Sequence, residues 1–412
     1  MSNKLKPERI KKDFPIFNKH PDLVYLDSTA TALKPRAVIA AVNNYYENYS
    51  ANVFRGLYPT AEKTTAIFEK VREQTARFLN AQQNEEIIFV RNTTEALNLI
   101  AYSLGRQIIT KGSEIVVSLV EHHSNFVPWQ QLALENEAVL KVLEPDEHGL
   151  IPLEKDKVID GVINKNTKIV ALYYISNVLG TINPLAKIIK QIKKKNPDTI
   201  VIVDAAQAAP SIKIDVQALG CDFLAFSGHK MMGPTGIGIL WGKQTLLEQM
   251  YPFLFGGEMI SEVYLKKTVF QKPPLRFEAG TPDIAGVFGL GAAITYLSQL
   301  SFPDLLKHEQ RLWKLTWQEL KNNPNIVLLG PEKVENRTGI LSFWHKKIHA
   351  HDLAQIMSDD QVCIRTGHHC AMPLHQYLKI PASARLSYYL YNTGQDVKSF
   401  MQALSRAEKM LI

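Results

Sequence analysis

Residues 223–236 read FLAFSGHKMMGPTG. The run FLAFS is apolar up to its closing serine, as expected of a short strand covered on both faces. It ends at a glycine, and Lys230 follows two residues later with Gly233 and Gly236 close behind. A lysine at the mouth of a buried strand has its solvation set by the surrounding fold.

Outward from this stretch the same texture repeats. EIIFV (86–90), EIVVS (114–118), KIVALYYIS (168–176), VIVD (201–204) and GIGILW (236–241) are short apolar runs. Amphipathic segments such as 94–104 and 185–195 lie between them. Alternation of strand and helix predicts an α/β domain with a mainly parallel sheet, and in such sheets ligands bind where the strands end. The run ends are rich in chemistry: RNTTEALNL after EIIFV, EHHSN at 121–125, NVLGTINP at 177–184 and AAQAAP after VIVD. Beyond about residue 300, helical patterns at 303–322, 351–359 and 396–410 surround strand candidates at 339–345 and 361–366. That change predicts a smaller α+β domain carrying Cys370 and Arg385. GVFGLGAA (286–293) follows no clear strand and reads as small residues at a helix contact rather than a dinucleotide fingerprint.

The chain has 412 residues, long enough for two domains. No apolar run reaches the ~18 residues a membrane helix needs. The basic start MSNKLKPERIKKDFP lacks the apolar stretch of a secretion signal. Three cysteines (Cys221, Cys363, Cys370) make no disulfide framework, so a cytoplasmic location is expected. The net charge of +7 owes much to KPERIKK and to KIIKQIKKKN at 187–196. The second run sets Ile188, Ile189 and Ile192 on one face, the pattern of a core-facing helix with a solvated side. No nucleic-acid recognition motif accompanies it.

Lys230 has two readings. It either snorkels out of a turn or holds the aldehyde of pyridoxal phosphate. Asp204, ending VIVD 26 positions earlier (230 − 204), favours the second, since an acid there suits a protonated pyridine nitrogen. Thr93 and Thr94 at the start of an apparent helix suit a phosphate, and equally an ordinary N-cap. Ser227 and His229 are further phosphate donors, and His122 could lie flat on the ring. Gln207 and Asn177 are candidates for the phenolic oxygen and the substrate. Cys370, in RTGHHCAMP (365–373), stays open at this level between metal ligand, disulfide half, buried thiol and nucleophile.

Taken together, EHHSN, SNVLGTINP, VDAAQAAP, FSGHKMMGPTGIGIL, RFEAGTP and RTGHHCAMP resemble the pyridoxal-phosphate-dependent cysteine desulfurases. The likeness is to the group serving the SUF iron–sulfur assembly route, related to selenocysteine lyases, and runs from YLDSTAT at 25 to YNTG at 391. It implies the class V aminotransferase architecture (aspartate aminotransferase-like, fold type I). A large cofactor domain would span 22–298, with a small α+β domain from 1–21 and 299–412. It also implies a homodimer. Lys230 would be the Schiff-base lysine, Asp204 the partner of the pyridine nitrogen, His122 the stacking imidazole and Gln207 the contact to the phenolic oxygen. Thr94, Ser227 and His229 fall on phosphate positions, and Thr281 on a phosphate contact made by the other subunit. Asn177, Arg365 and Arg385 surround the substrate, with Arg385 on its carboxylate. Cys370 matches the catalytic thiol. Phe54 and Tyr58, in NVFRGLYPTAEKTT (52–65), stand where the family carries histidines.

The activity so implied is conversion of L-cysteine to L-alanine, Lys230 removing the α-proton and Cys370 taking the sulfur as a persulfide. Arg365, His368 and His369 are expected to lower the thiol's pKa. A zinc site would need about four ligands, and Cys221 and Cys363 fit the inert buried thiol better. The thiol segment is short and bounded by Pro373, so a separate sulfur-acceptor protein is expected. L-selenocysteine is the alternative substrate. The RTGHHC thiol argues against an aminotransferase or C–C lyase, and a non-catalytic scaffold, basic at 187–195 and binding an acidic partner or RNA, would be colourless and take up no cofactor.

Overall fold

The computed structural model describes residues 5–146 and 149–412. Its main sheet has seven strands: β1 (Ile87–Val90), β2 (Glu114–Ser118), β3 (Val139–Leu143), β4 (Thr167–Tyr173), β5 (Ile200–Asp204), β6 (Phe223–Ser227) and β7 (Gly238–Gly242). Their spatial order is β1-β7-β6-β5-β4-β2-β3. Only β7 runs antiparallel to its neighbours; the rest share one direction. The expected parallel sheet is therefore present with one reversed strand, made possible because the turn after Lys230 brings the chain straight back beside β6. β3 was not among the expected strands. It lies at the sheet edge with its side chains mostly open to solvent, so it lacks the continuous apolar run that marks the central ones.

Strands β5, β6 and β7 are buried almost along their whole length, which explains their unbroken Val, Ile, Leu and Phe content. One covering helix, α5 (Ile284–Ser298), is apolar nearly all round and buried, as a central helix must be. It packs on α1 (Arg36–Asn48) and α2 (Pro59–Leu79). The glycines of GVFGLGAA make that contact possible: a Cβ on Gly289 would lie 2.9 Å from Val42 of α1, and one on Gly291 2.5 Å from Val71 of α2.

Helix α3 (Thr93–Ile100) is capped by Asn92, whose side chain accepts from the Glu95 amide at 2.9 Å. The cap is thus one residue earlier than the threonines suggested. The helix continues past Ile100 as a wider turn through Gly105. Helix α4 (Leu185–Lys195) buries Leu185, Ile188, Ile189 and Ile192 as its pattern required. Lys193 pairs with Asp222 at 2.6 Å and Lys195 with Asp160 at 2.7 Å.

The second sheet is antiparallel, in the order β8-β9-β11-β10, from β8 (Ile326–Leu329), β9 (Ile340–His345), β10 (Arg365–Gly367) and β11 (Ser383–Ser387). Helices α6 (Phe302–Leu320), α7 (Ala350–Asp359) and α8 (Gly394–Leu411) pack with it around Trp313, Phe343 and Phe400. Val24 and Leu26 enter this core, and Val24–Tyr25 pairs in parallel with Val362–Cys363. Phe14 and Phe17 pack in the larger one. No single helix among the described residues is long and apolar enough to cross a membrane.

Candidate active site

The carboxyl ends of β1, β2, β4, β5 and β6 point at the seam between the sheets. A cavity of about 230 Å³ opens there, lined by Thr93, Thr94, His122, Asn177, Asp204, Gln207, Ser227, His229, Lys230, Arg365, Cys370 and Arg385, among others. Twelve of the thirteen residues expected at a site thus share one cavity. Thr281 does not; it lies in a loop on another face, where Asn52 Nδ2 donates to its hydroxyl at 3.4 Å.

Lys230 follows β6 in the turn Gly228–Met231. A Cβ on Gly228 would meet Ile237 at 3.0 Å, and one on Gly233 would stand 2.9 Å from the Gly228 carbonyl. The tight turn therefore needs both glycines. Burial lowers the Lys230 pKa to about 8, Asp204 opposing the shift. Much of the amine is then neutral in mildly alkaline solution, the form that attacks a carbonyl.

Asp204 ends β5 and is buried, its Oδ1 accepting from the Ala206 amide at 2.9 Å. Burial pushes the carboxyl up, while Lys230 and the Ala206 amide pull it back. A carboxylate this deep calls for a cation beside it, and a protonated pyridine nitrogen is one. His122 accepts from the Ser124 amide at Nδ1, 3.1 Å away, so its neutral ring carries the proton on Nε2. Burial and the Lys230 charge lower its pKa to about 3. Directly before it, Glu121 accepts from Asn125 at 2.7 Å and from the Tyr173 amide at 3.0 Å, fixing this turn against β4.

The phosphate-binding candidates fall into two kinds. Thr93 and Ser227 bind one another, their hydroxyls 2.7 Å apart, and the Thr93 amide donates to Ser227 Oγ at 2.9 Å. Thr94 is exposed at the open end of α3, and its amide has no acceptor among the described residues. An anion there meets free N–H groups and the positive end of the helix. His229 is held by its carbonyl, which accepts from the Ala32 amide at 3.0 Å; burial and Lys230 lower its pKa to about 4. Gln207 donates to the Thr29 carbonyl at 3.0 Å, which leaves its second N–H for a ligand. A basic amine, a deep acid, a neutral ring and an anion cradle in one cavity fit pyridoxal phosphate.

Arg385, on β11, is buried. Its guanidinium donates to the Asn177 carbonyl at 3.0 Å and to Asp27 at 3.1 Å, while Nε has no partner among the described residues. Burial lowers its pKa to about 10, Asp27 opposing. Arg365 lies in register opposite it on β10 and reaches Asp27 at 3.7 Å. Asp27 lies in YLDSTAT, quoted for its likeness without a role. Its distance of 358 residues from Arg385 left no local spacing by which to find it.

Cys370 is exposed, and Cys221 and Cys363 are buried and half-buried, all three free. His369 and Cys370 both have left-handed backbone, φ 51° and 57°. Two such residues in succession are costly without glycine and are held by neighbours: Asn177 donates to the His369 carbonyl at 2.7 Å, and the His123 amide to the Cys370 carbonyl at 2.7 Å. The expectation that His369 assists the thiol as a cation is corrected here. Burial, with Arg385 nearby, lowers its pKa to about 2, and its Nε2 is directed to Ser383.

A mainly parallel sheet with a lysine and an acid on adjacent strand ends, and a thiol just beyond a strand of the second sheet, defines a cofactor-dependent α/β enzyme. The family model for class-V aminotransferases matches residues 24–400, and the chain belongs to that family. It is 45% identical over 403 residues to a probable cysteine desulfurase of Halalkalibacterium halodurans, covering 97% of each chain. It is 43% identical over 408 residues to a cysteine desulfurase of Klebsiella pneumoniae, covering 98% of each chain. Among solved structures, a cysteine desulfurase from Escherichia coli in S-sulfonic acid form superposes with a TM-score of 0.92 at 36% identity, over 100% of both chains. The apo cysteine desulfurase of Thermococcus onnurineus gives 0.92 at 37%, over 100% of this chain and 99% of that one.

Proposed function

We propose that this protein is a pyridoxal-phosphate-dependent cysteine desulfurase that converts L-cysteine to L-alanine and carries the sulfur as a persulfide on Cys370. The observation that carries the reading is the sharing of one cavity by Lys230, Asp204, His122, Arg385 and Cys370. A transaminase needs the first four but has no use for an exposed thiol beside them. The relatives are named for cysteine, so the selenocysteine alternative is not favoured.

Bound pyridoxal phosphate supplies an aldehyde and an electron-withdrawing ring that stabilises negative charge at a substrate's α-carbon. Lys230 provides the tethering amine, Asp204 keeps the ring nitrogen protonated, and His122 covers the ring face. Thr94, Ser227 and His229 face the phosphate. Arg385 binds the substrate carboxylate through its planar fork, with Asn177 and Arg365 alongside. Lys230, once free, moves the α-proton. Cys370 attacks the substrate sulfur as a thiolate; the S–S bond forms while the substrate's C–S bond breaks, its electron pair staying with the β-carbon, which takes a proton to become the methyl group of L-alanine. Lys230 and Arg385 are the cations whose charges interact with this thiol, and Arg365 lines the same cavity.

The same reading includes a homodimer, since Thr281 lies outside its own chain's cavity and shares a surface pocket with the exposed Leu254, next to the exposed Tyr251 and Phe255. It also includes a sulfur-acceptor protein of the SUF route, because the loop holding Cys370 is short and pinned at both carbonyls. Three unpaired cysteines suit a reducing, cytoplasmic setting. The test is an assay of L-alanine formed from L-cysteine by wild type, Cys370→Ala and Lys230→Ala. Both variants are expected to fail. Full alanine production by Cys370→Ala would remove the thiol from the reaction.

A further inference from the structure

A hydrogen-bond relay in the cavity wall fixes the tautomer of the imidazole next to the thiol. Nδ1 of His375 is 3.0 Å from the Ala371 carbonyl, which can only accept, so that nitrogen carries the proton. Burial lowers the His375 pKa and so favours the neutral ring, whose Nε2 is then a bare lone pair. Ser383 Oγ, 2.9 Å from that lone pair, donates its single proton there. The same oxygen is 3.0 Å from Nε2 of His369 and can now only accept, so His369 carries its proton on Nε2. Nδ1 of His369 is left as a lone pair. It is buried without a partner among the described residues, on a ring that lines the cavity with Arg385 and Cys370.

We propose that Nδ1 of His369 accepts the substrate's S–H, turning the sulfur toward Cys370 and favouring an amino acid with a thiol at Cβ. This rests on the desulfurase reading and names how its substrate is chosen. The carboxylate goes to Arg385 and the amino group toward Lys230, so the side chain must lie near Cys370, whose chain neighbour is His369. A buried acceptor without a donor is unfavourable, and a bound S–H relieves it. The charged groups facing this ring, Arg385 and Arg365, together with burial keep it unprotonated. It therefore stays an acceptor throughout the working range. Ser383 shares the β11 face with Arg385 two residues on, so one strand aligns the carboxylate grip and the thiol acceptor.

The test uses holoenzyme of Cys370→Ala, in which sulfur is not removed, titrated with L-cysteine and with L-alanine while the visible absorbance of the cofactor is followed. Adding His369→Phe is expected to raise the Kd of L-cysteine about five- to tenfold, the scale of one net hydrogen bond, and that of L-alanine less than about twofold. Ser383→Ala, which keeps the ring but frees its tautomer, is expected to weaken L-cysteine about two- to threefold and leave L-alanine unchanged. Equal changes for both amino acids, or none for L-cysteine, overturn the inference while leaving the desulfurase reading standing. If neither amino acid perturbs the cofactor before His369 is altered, both fall.

Discussion

Arg365 and Arg385 stand directly opposite one another on adjacent antiparallel strands, and Asp27 contacts both, at 3.7 and 3.1 Å. Like charges so placed repel, and one carboxylate balances only one of them. The pair keeps a surplus positive charge next to an unpartnered Arg385 Nε, a ready seat for a second carboxylate.

Replacing Arg385 with lysine keeps the charge but removes the planar fork. The KM for L-cysteine is expected to rise about tenfold or more with a smaller change in kcat, since a point charge cannot make the paired contact. Asp27→Asn is expected to act in the opposite sense on charge but to loosen Arg385. Its KM effect should therefore be smaller than that of Arg385→Lys. Steady-state kinetics at fixed ionic strength check both.

The low pKa of Lys230 sets a pH dependence for cofactor capture by the apo protein. The neutral amine is the reactive form, and its share rises with pH until it levels off above about 8. The rate of absorbance change on adding pyridoxal phosphate should follow that curve. An ordinary lysine would keep rising toward about pH 10.4. The sign for stability follows from the same shift. The folded pKa is depressed, so the unfolded chain binds more protons between about 8 and 10.4, and the penalty of burying Lys230 is present below that window and relieved as pH rises through it.

Thiol exposure predicts an order of labelling. Cys370 is exposed, Cys363 half-buried and Cys221 fully buried, and burial raises the pKa of the last two. One equivalent of iodoacetamide should modify Cys370 and stop alanine formation, and Cys221 should react only after unfolding. Peptide mapping by mass spectrometry reads this out.

Arg72 is buried against Glu278, with both guanidinium nitrogens bonded at 2.7 and 2.9 Å, and Glu278 also accepts from the Phe89 amide at 2.8 Å. Removing one partner strands a buried charge. Arg72→Met is expected to destabilise the fold by about 3–5 kcal/mol, seen as a fall in Tm and a lower denaturant midpoint with an unchanged slope.

Much of the site was legible because its residues sit at the ends of apolar strands, where a one-dimensional pattern reports a three-dimensional rim. Lys230, Asp204, Thr94 and His122 were found that way. Arg385, Arg365 and Cys370 were placed through likeness of motif, since nothing local in β10 or β11 announces them. Edge strand β3 escaped because half-exposed residues leave no apolar run, and the reversal of β7 is a matter of turn geometry that hydrophobicity does not encode. His369 was read as a cation because sequence shows residue type but not burial. The Ser383–His375 relay that fixes its proton joins residues whose spacing gives no sign of it.

The thiol loop is bonded on one side to His123 and Asn177, beneath the large sheet, and on the other to Ser383 in the small one. The loop therefore cannot shift toward one sheet without straining its bonds to the other. A longer reach for the thiol would require these bonds on both sides to loosen, because lengthening the loop alone would leave both its moorings in place.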